Sequence, residues 1–546
     1  MSHDEKFEKL NMEMFQKFMS INPTYATFLG LHEPYDLQLS DGSSKNVLES
    51  LRILKEWVDQ LKKEIKYDKL SSDHKTDWKV IELNYEKTKF SVHEHRTWET
   101  NPDAFDDVGG IFFIMLTRDY APIEERVKAI VARMEKLPKF LEEFRTRFEK
   151  TKPVKLWTEV AIESGQQIPE LFMFIVAATK GVVSEDLHNR LTQAAMNLQE
   201  PLKQHLAWLQ SLLPKTKAEW SLGREKFDKW LKLRGLGMTA EEIHKLGVKY
   251  LKELKEERAK LAEKIAPRKS VKEVMELIEA KAPKTFEEAL QTTKETMEKS
   301  KEFVSENEIA TVYPDDKLHV EETPAFIAPL IPFAALIPPA KFDKRQEGIY
   351  IVTRPKDVKN LGKHLNYASI PGTAVHEGYP GHFLQGAMSN RGSLVRLFAN
   401  GTEVIEGWAH YCEDMMTKHG FIKGYESEFA KINDGIWRAV RIIVDVKLSR
   451  GEMSFDEAVD MLMKEAGMSK EGATAEVRRY TMTPGYPLSY LIGKHLILQL
   501  RSDVEKRMGK RFNEKFFHDT ITANGELPIG LLREVFDMKL AEMGIK

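Results

Sequence analysis

The amino-acid sequence predicts a mainly α-helical protein with one small β element near residues 311–355, and three observations carry that reading. Charged, amphipathic stretches with helical periodicity dominate from Met1 to about Glu308. Several open on a Ser or Thr followed three residues later by Glu. Between Thr311 and Pro355 seven prolines interrupt the pattern, which then resumes and runs to the C-terminus.

Each element follows from its own residues. "SLRILKEWVDQLKKEIKYDKL", from Ser50, and "HKLGVKYLKELKEERAKLAEKIA", from His244, repeat apolar residues three and four apart, the spacing of one helix face. Thr239 with Glu242, Ser270 with Glu273, Thr285 with Glu288 and Ser454 with Glu457 match the capping box that satisfies the first free N–H groups of a helix. In the proline-rich stretch, "KLHVEE", "AALI" and "GIYIVT" read as short strands. The apolar run Ala325–Ala340 contains four prolines and is too short to span a bilayer, so it reads as buried irregular or strand structure. The expected organisation is a helical N-terminal part, residues 1–308, on one side of a cleft, and a catalytic part, residues 309–546, together forming one continuous structural unit.

Composition narrows the function. Apolar residues make up 42% and charged residues 30%, with a formal net charge of −2, so the expectation is a globular chain with no nucleic-acid or membrane partner. A homodimer is compatible with this balance. The acidic N-terminus lacks the apolar stretch of a signal peptide, and the single Cys412 excludes an internal disulfide and a cysteine-rich metal site; together they predict a cytoplasmic location. Cys412 itself reads as a small buried filler. Heavy Lys and Glu use also suits a thermophile.

"TAVHEGYPGHFLQ", from Thr373 to Gln385, carries the chemistry. Zinc peptidases place two histidines four apart on a helix, with a glutamate beside the first as base. Here His382 follows His376 by six residues. In a regular helix the two would stand about 240° apart, too far round to share an ion. Pro380 removes an N–H and Gly381 tolerates unusual dihedrals, so the helix is expected to kink or widen there and bring His382 back. Glu406, in "TEVIEGWAHYCEDMM", is the expected third ligand from a second helix, and His410 and Glu413 share its face. The trio His93, Glu94 and His95 has no third ligand nearby in sequence and reads as solvated surface.

"HEGYPGHFLQ", "EGWAHYCED" and "TPGYPLSYLIGKHLILQLR" together resemble the domain-of-unknown-function 885 family of zinc metallopeptidases. The likeness covers most of the chain and is most specific from about Val320 onward. It implies a large helical zincin-like fold, similar to gluzincin peptidases, with the site in a deep cleft. It implies His376, His382 and Glu406 as metal ligands, Glu377 as the base that activates a water, and Tyr490 as a stabiliser of the oxyanion. Two positions depart from the family pattern. Phe383 stands where a further histidine is usual, and Tyr486 where a glutamine is.

The expected function is therefore hydrolysis of peptides by a zinc metallopeptidase of carboxypeptidase or oligopeptidase type. The metal is Zn2+, replaceable by Co2+ or Mn2+. Glu413 is a candidate partner for a ligand histidine. His410 reads as a partly buried histidine, and Arg478 or Arg479 as a clamp for a substrate carboxylate. The rival readings are a zinc amidohydrolase or esterase acting on a non-peptide small molecule, and a non-catalytic helical scaffold. Glu377 argues against the scaffold, since a structural zinc site has no use for a free carboxylate beside its ligand.

Overall fold

The computed structural model describes residues 2–324, 331, 333–355 and 357–545. Packing divides the chain into two units, Met1–Trp220 with Ala340–Lys344, and Ser221–Pro339 with Arg345–Lys546. The helical stretch expected to run as one part to residue 308 is thereby divided between them.

In the first unit, amphipathic helices bury large side chains such as Trp57, Phe112 and Phe144. A buried polar contact accompanies them: the Arg133 guanidinium donates to the Asp36 carbonyl at 2.9 Å and to the Thr27 hydroxyl at 2.6 Å. The helical stretch read from Ser50 lies in the helix Ser44–Glu64, which stops where Ile65 turns extended; Tyr67–Lys69 forms a separate turn.

The second unit holds the small sheet. β1 (Lys317–Glu322), β2 (Ala334–Ile337) and β3 (Glu347–Val352) take the order β1-β3-β2, with β3 parallel to β1 and antiparallel to β2. The three strands lie on the three short β-like runs. Residues 325–330 and 332 of the apolar run lie outside the described residues.

The same unit holds the helices that shape the site. Tyr425–Ser449 is buried through most of its length and packs along Ala240–Ile265 and Phe455–Ala466. Thr239, Ser270 and Ser454 each close a reciprocal capping box. At Thr285 only half of it forms. Its hydroxyl accepts the Glu288 N–H, but the Glu288 carboxylate accepts from the Lys284 N–H and the Tyr367 hydroxyl instead. The fold is thus mainly helical with one small sheet. Among the described residues no helix is long and apolar enough to cross a membrane.

Candidate metal centre

The chain between the two histidines is widened and then broken. Ile370–Thr373 is α-helical and Ala374–Gly378 a π-turn, the geometry that admits one extra residue. Tyr379 is extended, the Tyr379–Pro380 peptide is cis, and a new α-helix runs from His382 to Ser389. The imidazole rings of His376 and His382 end with centroids 4.8 Å apart. Gly381 is needed on steric grounds, because a Cβ there would sit 1.9 Å from the His376 carbonyl oxygen. The break is held from outside: the Trp408 indole N–H donates to the Pro380 carbonyl at 2.8 Å, and the Ser300 hydroxyl donates to the Tyr379 carbonyl.

Glu406 arrives on the helix Thr402–Lys418, which lies along Ser489–Met508. The two helices meet backbone to backbone. A Cβ on Gly407 would fall 2.3 Å from the Gly493 carbonyl carbon, and one on Gly493 would fall 1.9 Å from the Glu403 oxygen. The glycine of "EGWA" and the glycine of "SYLIG" therefore form one contact, which brings the tyrosine segment against Glu406. There the Tyr486 hydroxyl donates to Glu406 Oε1. The segment is anchored below by buried Asp445, which accepts the N–H groups of Gly485 at 2.8 Å and Leu488 at 3.0 Å.

One ligand atom from each of His376, His382 and Glu406 lies within 4.8 Å of the others. Two histidines and a carboxylate are the donor set of open catalytic zinc sites. Ligand atoms 2.0–2.2 Å from a tetrahedral zinc are roughly 3.4 Å apart, so small side-chain rotations close the set around an ion. His376 Nδ1 donates to Glu413 Oε1 at 2.7 Å, which orients the ring and leaves Nε2 for the metal. The residues fit the group.

Electrostatics agree with an acceptor-rich site. Burial raises the Glu406 pKa, but its contact with His382 and the Tyr486 hydroxyl outweighs that and holds the group at about 2. Burial likewise opposes the charge of Glu413, yet Arg438, His410 and His376 keep it well below the usual carboxylate range. Glu526, near His382, is pushed up to about 7 by burial.

Glu377 is half-buried and lines, with His376, Glu413, Asp434 and Arg438, a pocket of about 130 Å³. Tyr490 packs edge-on to Tyr486 with ring centroids 6.0 Å apart, and the Arg441 guanidinium lies 4.5 Å from its ring centre. His410 is more deeply buried than expected and lies 3.5 Å from Glu413; burial brings its pKa down to about 3 and keeps it neutral. Arg479 reaches the Tyr490 side of the site through Glu476, to which it donates at 2.9 Å. Arg478, its neighbour, is half-buried. Phe383 is a core residue, fully buried against Tyr379 and β3, which explains the missing histidine. Cys412 is fully buried. Of His93, Glu94 and His95 only His93 is exposed; the other two are half-buried.

Sequence reasoning missed several neighbours. Tyr486 stands as a departure from the family glutamine, yet it supplies the same kind of donor to Glu406. Arg438 and Asp434 come from Tyr425–Ser449, and Tyr350, buried near Glu377, comes from β3. None of these three lies in a motif.

Two solved structures are similar to this chain. One, from Shewanella oneidensis, is described as a candidate lipoprotein of unknown function; it is 22% identical with a TM-score of 0.79, over 98% of this chain and 99% of that one. The other, from Colwellia psychrerythraea and described as a candidate lipoprotein, is 18% identical with a TM-score of 0.85, over 99% of this chain and 100% of that one. No curated protein matches the chain. These descriptions overturn the expected cytoplasmic location. Its grounds were weak physically: the acidic N-terminal residues build the helix His3–Ile21, capped reciprocally by Ser2 and Glu5, and a lone buried cysteine is indifferent to redox compartment. The family model described as bacterial protein of unknown function (DUF885) matches residues 23–536, and the chain belongs to that family.

Proposed function

We propose that this protein is a zinc-dependent hydrolase of peptides, with His376, His382 and Glu406 as the metal ligands and Glu377 as the base. The observation that carries the reading is the broken helix, which gathers two histidines six residues apart beside a carboxylate from a second helix. Zinc, when bound, supplies a Lewis acid that polarises a carbonyl and acidifies water. Glu377 shares its pocket with His376, so its carboxylate accepts the proton of the attacking water and returns it to the leaving amine. Glu413 holds the His376 ring in one tautomer and orientation. Tyr490, edge-on to the tyrosine that contacts Glu406, donates to the oxyanion as it forms. Residence in the cell envelope goes with this reading, since both similar structures are described as lipoproteins.

The test is zinc content by mass spectrometry, with hydrolysis of a mixed peptide pool followed on the same samples. Wild type is expected to hold about one zinc and to cleave. Glu406→Gln loses the metal, and Glu377→Gln keeps it but loses cleavage. A wild-type protein that takes up no zinc when it is supplied refutes the reading.

A further inference from the structure

Beside Tyr490 lies a surplus of positive charge. Glu476 offers a single oxygen, Oε2, to three donors: Arg441 at 3.0 Å, Arg479 at 2.9 Å and the Tyr480 hydroxyl at 2.6 Å. Two guanidinium groups thus share one carboxylate. Among the described residues neither has another carboxylate within ion-pair distance. The two arginines differ in what they have left to give. Arg441 is buried; its Nε donates to the Tyr480 hydroxyl at 2.8 Å, and it packs between Trp437 and Tyr490 at 3.9 and 4.5 Å from their ring centres. The side chain of Arg479 is 39% exposed, and its Nε and Nη1 donate to no protein acceptor among the described residues.

Glu476 fixes Arg479 in place, so the planar fork is presented already ordered, which lowers the entropy lost on binding. A half-exposed guanidinium with spare donors, in a cluster of net charge plus one, is matched by a carboxylate that accepts a charge-assisted hydrogen bond. The patch is linked to Glu406 through the Tyr486 hydroxyl, the Tyr486 and Tyr490 rings with centroids 6.0 Å apart, and the Arg441 guanidinium 4.5 Å from the Tyr490 ring centre.

We propose that Arg479, backed by Arg441 and positioned by Glu476, binds the terminal carboxylate of the substrate. The substrate class is then peptides with a free C-terminus, cut toward that end. This rests on the hydrolytic reading for the position of the cut, and on the cluster alone for the recognition of the carboxylate.

The experiment separates the two. N-acetylated tripeptides varied at the last residue, each as free acid and as C-terminal amide, are titrated into zinc-supplied Glu377→Gln, alone and combined with Arg479→Gln or Arg479→Lys. Free acids are expected to bind about 10- to 100-fold tighter than amides, the worth of a charge-assisted hydrogen bond. Arg479→Gln abolishes that ratio and leaves amide affinity unchanged, which also reports an intact fold; Arg479→Lys retains part of it. Equal binding of acid and amide, binding of neither, or a ratio that survives Arg479→Gln overturns the proposal. If the acid preference holds while wild type cleaves none of the peptides, the carboxylate site stands and the hydrolytic reading falls.

Discussion

Glu413 is the residue whose replacement reports most directly on whether His376 is a ligand. It is 4% exposed and accepts from His376 Nδ1 at 2.7 Å, with the Arg438 guanidinium 3.5 Å from the same oxygen. A hydrogen bond to a charged group contributes about 1.5–3 kcal/mol. Loss of the carboxylate behind a metal-binding histidine costs about 10- to 100-fold in metal affinity, which is about 1.4–2.8 kcal/mol. The two figures agree, so the orientation of His376 accounts for the whole effect. Glu413→Gln keeps an acceptor for the N–H and loses only the charge, so it is expected near the tenfold end. Glu413→Ala removes both and is expected near 100-fold. The assay is competition for zinc against a chromophoric chelator, with thermal melting by circular dichroism to show that each variant is folded. A folded Glu413→Ala that binds zinc as tightly as wild type would show that His376 is not held through Glu413, and the ligand assignment would lose that support.

Three further outcomes are expected. Gly407→Ala drives a Cβ into the Gly493 backbone and costs about 3 kcal/mol of stability, the upper range for overpacking; urea unfolding and zinc content should fall together, and an unaffected variant would contradict the helix contact. Tyr490→Phe keeps zinc and lowers kcat by about 100-fold with little change in KM, as loss of an oxyanion donor does; a change in KM alone would assign Tyr490 to substrate binding instead. Buried His518 donates from Nδ1 to the Ile309 carbonyl and accepts from the Tyr411 hydroxyl, both at 2.8 Å, and burial lowers its pKa to about 4. Its folded pKa lies below the unfolded value near 6.5, so the unfolded chain binds more protons between those values and stability falls as pH drops through them. Between pH 7.5 and 5 wild type should lose about 2 kcal/mol more than His518→Gln in urea unfolding, and equal losses would refute the assignment.

What was legible before the structure divides along the range of the interactions. Helix periodicity, the capping boxes at Thr239, Ser270 and Ser454 and the three strand runs depend on residues close in sequence, and they stand where the sequence puts them. Thr285 fails as a complete box because Tyr367, far along the chain, competes for the Glu288 carboxylate. The break between His376 and His382 was readable because Pro380 and Gly381 restrict the backbone locally, whatever surrounds them. Its outcome, one extra residue in a π-turn followed by extended Tyr379, needed Trp408 and Ser300 to hold it. The same limit explains Glu413, whose helix position predicted a polar face but not which histidine it would meet.

Arg438 had no signal at all, since a buried arginine on Tyr425–Ser449 looks in sequence like any helix arginine. Gly407 and Gly493 are the instructive pair. Each sits in a motif and each alone reads as a tolerated helix glycine, at a cost of about 1 kcal/mol against alanine. Only their mutual contact shows what they are for. Two helices that approach backbone to backbone carry Glu406 and Tyr486 to hydrogen-bonding distance, and any larger residue at either position would hold ligand and donor apart. The spacing of Glu406 from Gly407, and of Tyr486 and Tyr490 from Gly493, is therefore part of the site's chemistry. A chain that kept every ligand but lost either glycine is expected to lose the metal with it.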